Sequence, residues 1–115
     1  MTVGDAGNGS ARGVVARYFR MWNDGEFSVV SDLIAPGWVD HAHPERRSVT
    51  DVQNALTFAR AEQPGTRVLV DAMLGDGNLI TVNGRIETSG ATQNWVWIVR
   101  LDEDRIQEIW TYYAE

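Results

Sequence analysis

The sequence predicts a single α+β domain in which three helices precede a mostly antiparallel sheet, and three observations carry that expectation. Apolar residues recur at helical spacing as far as Gln63, and from Thr66 onward they follow the period of a strand. Three turn signals then divide the second half into four runs. At 115 residues, with 43% hydrophobic and 23% charged residues, the chain has the length and composition of one globular domain.

The elements follow in order. Met1 to Gly9 carries three glycines and no apolar period, which predicts a disordered tail at 1–9 and a domain at 10–115. Ser10 is placed to cap a first helix with Val14, Val15, Tyr18, Phe19 and Trp22 on one side and Arg12, Arg17 and Arg20 on the other. Asn23-Asp24-Gly25 stops it, and Phe27 to Ile34 reads as a short second helix closed by Pro36-Gly37. Trp38-Val39-Asp40-His41 is a brief extended piece, and Pro44 keeps the residue before it out of the helical region. Ser48 to Gln63 forms a third helix with Val52, Ala55, Leu56 and Ala59 on one face, ended by Pro64-Gly65. The strands are Arg67 to Leu74, Leu79 to Glu87, Thr92 to Leu101 and Arg105 to Tyr113, joined by hairpin turns, so consecutive strands pair. Trp95 to Val99 is apolar at successive positions. Both faces of that strand therefore need cover, one from the helices and one from a partner subunit or the sheet's own curvature, and a homodimer is expected.

Composition removes several function classes. Ten basic against sixteen acidic residues leave a net charge of -6, which repels nucleic-acid phosphates and anionic lipid surfaces. There is no Cys, so disulfides, thiolate nucleophiles and thiolate metal sites are excluded. All ten basic residues are Arg, which excludes a Schiff-base lysine. No apolar run approaches the roughly 20 residues of a membrane span, and the first ten residues lack the pattern of a secretory signal. No membrane association is expected, and a cytoplasmic location is.

Three stretches narrow the fold. Val15-Ala16-Arg17-Tyr18-Phe19-Arg20-Met21-Trp22-Asn23-Asp24-Gly25-Glu26, Leu33-Ile34-Ala35-Pro36-Gly37-Trp38-Val39-Asp40-His41 and Arg100-Leu101-Asp102-Glu103-Asp104-Arg105-Ile106-Gln107-Glu108-Ile109-Trp110, in that order and separation, resemble the SnoaL-like polyketide cyclase family of the nuclear transport factor two-like superfold. The resemblance implies a cone-shaped barrel: a curved sheet wrapping the long helix, with a mostly apolar pocket between them. It also implies that Trp110 faces inward, and alternation then carries Tyr112 and Ala114 with it. Trp97 is placed inward on the same grounds, and Tyr18, Trp22, Trp38 and His41 are added from the helix and the first strand. Relatives on this fold include cyclases, isomerases, dehydratases and binding modules, so the fold does not choose among them.

The resemblance supplies two catalytic templates. Polyketide cyclases of the family carry a carboxylate base four residues after the Trp of the last strand, and that position is Ala114 here, so a base would have to come from Glu115, Glu87 or His41. Ketosteroid isomerase relatives use a base at the end of the first strand, with a Tyr and a protonated Asp on the oxyanion. His41 falls near that base position, Tyr18 near the Tyr, and Trp97 where the Asp would be, offering one indole N–H.

His41, Tyr18 and Asp40 thus form the candidate catalytic set, with His41 as the group whose reference pKa of about 6.5 suits proton exchange at neutral pH. The competing reading has His41 capping the turn into Pro44. Trp22, Trp38, Glu87, Trp97, Trp110 and Tyr112 are the candidate substrate contacts: rings with polar tips suit a flat, oxygenated hydrophobic ligand, although the same rings suit a core. Glu87 shares a face with Arg85, as an exposed pair or a ligand clamp. His41 and His43 would share a face in an extended chain, but no third ligand stands at recognisable spacing, so no metal is assigned and no organic cofactor is expected. The expected function is a small-molecule enzyme of the SnoaL-like class, performing cyclase-, isomerase- or dehydratase-type proton transfer on an aromatic or polycyclic substrate. The alternative is a non-catalytic binding protein that keeps the pocket and lacks the base.

Overall fold

The computed structural model describes residues 11–75 and 77–113. The tail at 1–9, the cap at Ser10, and Ala114 and Glu115 lie outside the described residues. Helix α1, Ala11–Asp24, forms where the apolar stripe predicts it and buries Val14, Val15, Tyr18, Phe19 and Met21. Gly25, at φ 72°, turns the chain out of the helix while its N–H still reaches the Met21 carbonyl at 2.9 Å. A 3-10 turn, Phe27–Val29, runs into the one-turn helix α2, Val30–Leu33.

Here the structure departs from the expectation of a helix reaching Ile34 and ending at Pro36-Gly37. Strand β1, Ile34–Asp40, begins at once and contains both residues. It is an edge strand pairing parallel with β5, Arg105–Tyr113, and its register jumps from Ile34 opposite Ile106 to Val39 opposite Glu108. The unpaired stretch between tolerates a proline without an N–H, holds Gly37 at φ 75°, and is pinned by the Gln107 side-chain amide donating to the Gly37 carbonyl at 3.2 Å. Helix α3, Val49–Glu62, follows; Ser48 and Asp51 form a reciprocal capping box at its start.

Strands β2, Arg67–Leu74, β3, Leu79–Thr88, and β4, Ala91–Asp102, complete a five-stranded sheet in the order β1-β5-β4-β3-β2. Among the described residues only the β1–β5 pair is parallel, and the sheet stays open with β1 and β2 at its edges. Helix α1 lies against β2, β3 and β5 on one face. Between them Met21, Leu33, Val52 and Leu56 meet Ile80, Val82, Val99 and Ile106, all essentially without solvent contact. Each such side chain contributes about 1.5–3 kcal/mol relative to exposure.

Side chains tie the helices to edge strand β2. The Asn23 amide donates to the Val68 carbonyl and accepts from the Val68 N–H, both at 2.7 Å, as a neighbouring strand would. The Arg60 guanidinium donates to the carbonyls of Asn23, Pro64, Gln63 and Thr66, gathering the ends of α1 and α3 at the start of β2.

One irregularity decides which residues face the helices. Leu101 stands opposite Ile106 but Arg100 stands opposite Glu108, so Gln107 is an extra residue in β5. Ile106 and Ile109 both point inward as a result, and the alternation beyond them is reversed. Trp110 and Tyr112 therefore lie on the outer face opposite Ile98 and Val96, contrary to the expectation that they face inward. Thr111 faces the helices in their place.

Candidate functional site

A pocket of about 440 Å³ opens between α1, α3 and the inner face of the sheet, a size within the usual range for small-molecule sites. Its apolar wall is Phe19 and Trp22 from α1, Trp95 and Trp97 from β4, and Ile109 from β5. The two β4 indoles are stacked at 6.0 Å, and Phe19 packs on Trp97 at 4.7 Å. Tyr18, Asp40, His43, Arg46 and Thr111 add polar groups, and the exposed Gln63, Thr88 and Gln93 form the rim.

Tyr18 and Asp40 are the two titratable groups of the wall that are buried, each 4% exposed; among the described residues Asp40 is the one buried charged side chain. Burial, followed by the nearby Asp40 carboxylate, pushes the Tyr18 hydroxyl well above its ordinary pKa, against the opposing pull of the Trp22 indole hydrogen bond and the Arg46 charge. The phenol therefore stays protonated and keeps its O–H as a donor. Asp40 Oδ1 accepts the backbone N–H groups of Ala42 and His43 at 3.1 and 3.2 Å. Neither bond uses Oδ2.

His41 does not join them. Trp38 and Asp40 point inward and Val39 outward, so the next residue in the alternation points outward as well. Its backbone N–H still pairs with the Ile109 carbonyl at 3.0 Å, but its imidazole stacks on Trp110 at 5.1 Å and donates through Nε2 to Glu108 Oε2 at 2.8 Å. Arg100 holds the other carboxylate oxygen with two hydrogen bonds, 3.0 and 2.8 Å. The hydrogen bond from His41, then those from Arg100, keep Glu108 below the ordinary glutamate range. A lowered carboxylate stabilises the fold above its unfolded pKa of about 4.3 and loses that contribution as pH falls through the lowered value. Glu108→Gln is accordingly expected to reduce stability at pH 7 and to flatten the acid limb of a stability profile measured between pH 7 and pH 2.

The remaining sequence candidates divide cleanly. Trp22 and Trp97 line the pocket. Trp38 is buried edge-on to Tyr18, with ring centroids 6.2 Å apart, and belongs to the core rather than the wall. Glu87 lies on the outer face beside Arg85, which also holds Asp71 with hydrogen bonds of 2.8 to 3.2 Å, so Glu87 is a surface partner and not a clamp. His41 and His43 diverge because a turn closes from the His43 N–H to the Asp40 carbonyl at 3.1 Å. Among the described residues no three His, Asp or Glu side chains form a group that could hold a metal. The set of candidate contacts read from the sequence left out Phe19 and Trp95, although both belong to the aromatic set that can serve as core or lining, and it did not place His43, Arg46 or Thr111 at the pocket. Trp95 was available from its parity with Trp97, whereas the loop residues His43 and Arg46 gave no periodic signal.

No described helix is long and apolar enough to cross a membrane. A search of curated protein sequences finds no match. Solved structures agree on the fold. A SnoaL-like polyketide cyclase from Agrobacterium tumefaciens superposes with a TM-score of 0.78 over 92% of both chains at 9% identity. IdmH from Streptomyces antibioticus gives 0.72 over 90% of this chain and 91% of that one at 21% identity. TsrD from Streptomyces laurentii gives 0.74 over 89% and 86% at 10% identity. At such identities the likeness shows the fold alone, the open nuclear transport factor two-like cone. The sequence itself carries the relationship further: residues 15–109, from the apolar stripe of α1 to the inward Ile109 of β5, match the SnoaL-like domain, and the chain belongs to that family.

Proposed function

We propose that this protein is an enzyme that moves a proton on an aromatic or polycyclic oxygenated substrate held in the inner pocket, in a cyclisation, isomerisation or dehydration. Membership of the family supports a small-molecule enzyme or binder. The observation that carries the finer reading is the buried pair on one wall: Asp40, a carboxylate with Oδ2 outside its turn, and Tyr18, a hydroxyl kept protonated. A carboxylate and a hydroxyl donor, both buried at the pocket wall, are what enolisation needs. The C–H bond next to a carbonyl breaks, its proton passes to Asp40, and the electron pair moves to the carbonyl oxygen, which Tyr18 stabilises by hydrogen bonding. Trp22 and Trp97 hold the flat body. His41 leaves this scheme because its imidazole faces outward.

A second reading, a binding protein without catalysis, is favoured by the turn-capping role of Asp40 Oδ1 and by Ala114 at the family's base position. The test is the α-hydrogen exchange of 2-tetralone in D₂O, followed by NMR, on wild type and Asp40→Asn. Exchange that depends on Asp40 supports the enzyme, and binding without exchange supports the second reading.

The outer face of the sheet supports a homodimer. Val96 and Ile98 alternate outward from the run whose other members face the helices, and they are flanked by Trp110 and Tyr112, the last 52% exposed. Light scattering over a wide concentration range is expected to give twice 12.8 kDa; a constant 12.8 kDa would contradict it.

A further inference from the structure

The pocket wall carries two arginines, and the fold uses them differently. Arg60 spends its terminal nitrogens on the four carbonyls at the helix ends. Arg46, half-buried in the loop between β1 and α3, donates no side-chain hydrogen bond to any described residue and belongs to none of the ion pairs among them. Its neighbour is the Trp22 ring, with the guanidinium carbon 5.0 Å from the ring centroid, and its charge is felt at Tyr18. Arg12, Arg85 and Arg100 show what structural arginines do in this chain: each is committed to carbonyls or carboxylates. An arginine held on an aromatic ring at a pocket wall, with its donors unspent on the fold, is arranged for a planar oxyanion, because the guanidinium fork matches a carboxylate with two parallel hydrogen bonds.

We propose that the pocket's ligand is an organic acid, its carboxylate paired with Arg46 and its ring system lying among Trp22, Trp95 and Trp97. This rests on the inner pocket being the ligand site and not on Asp40 acting as a base. The arrangement separates two functions on one wall: Arg46 orients the acid, and the buried Tyr18 and Asp40 face the carbon skeleton. A neutral ring compound would gain the same apolar contact without the ion pair.

The test uses 2-naphthoate and methyl 2-naphthoate, which share a ring system and differ in charge, titrated calorimetrically into the whole protein. Wild type is expected to bind the acid about tenfold or more tightly than the ester, with the acid's affinity alone falling as salt rises. Arg46→Gln is expected to erase the preference, bringing the acid's affinity down to that of the ester, and Arg46→Lys, which keeps charge without the fork, to retain part of it. Equal affinities in wild type, or a preference that survives in Arg46→Gln, would overturn the proposal and leave the pocket reading standing. If neither compound binds, the ligand-site reading fails and this proposal with it. The salt dependence is read on wild type alone, so a poorly folding variant does not shield the proposal.

Discussion

Asp40→Asn is expected to slow α-hydrogen exchange of 2-tetralone by about 100-fold or more at pH 7, the scale of a lost acid-base group, while ligand affinity and the thermal transition stay close to wild type. Asparagine has the shape of aspartate, and its side-chain oxygen can still accept the N–H groups of Ala42 and His43 that fix the turn after β1. What it loses is the capacity to take a proton. Asp40→Ala would confuse the two roles, because it also removes the acceptor for both N–H groups and loosens the loop carrying His43 and Arg46. If Asp40→Asn exchanges hydrogen within a few-fold of wild type, the carboxylate serves the turn alone and the binding-protein reading takes its place.

Gly84→Ala is expected to destabilise the fold by about 3 kcal/mol, lowering the thermal midpoint by about 10 °C or more as followed by circular dichroism. A Cβ at this position would lie 2.3 Å from the Leu69 carbonyl oxygen and 3.1 Å from Cζ3 of the Trp97 ring. The first obstacle is backbone, and it belongs to the β2–β3 ladder just before the register shift between Val70 and Ala72. Relief requires moving the edge strand that Asn23 and Arg60 tie to the helices. The second obstacle is a pocket wall, so the same methyl would also displace Trp97 from its stack. A loss below about 1 kcal/mol would show that β2 can move away freely.

Much of this fold was legible because its signals are local. The bounds of β2 and β5 coincide with the predicted runs, since turn residues and strand alternation act within a few positions. β1 was misread for a non-local reason: Pro36-Gly37 looks like a stop in isolation, and only pairing with β5, some seventy positions away, makes it the irregular part of an edge strand. The site was legible in part. Tyr18, Trp22 and Trp97 follow from a helical stripe and a strand face. Trp38 and His41, however, stand three apart in an extended segment and could not both face inward; alternation alone favoured Asp40 over His41. The inward placement of Trp110 and Tyr112 came from the resemblance and from alternation beyond Trp110, whereas the extra residue Gln107 puts Ile109 and Thr111 on the inner face; the three-residue spacing of Ile106 and Ile109 within one strand was the local sign of it. Arg46 reaches the pocket through a loop, where neither period applies.

The five Trp side chains give five indole N–H resonances, and they sample the wall, the core and the outer face separately. In an NMR titration with 2-tetralone, the resonances of Trp22, Trp95 and Trp97 are expected to move together with one dissociation constant, while Trp110, stacked on His41 across the sheet, stays in place. Movement of Trp110 with Trp22 and Trp97 unchanged would put the ligand on the outer face and contradict the inner pocket as the site.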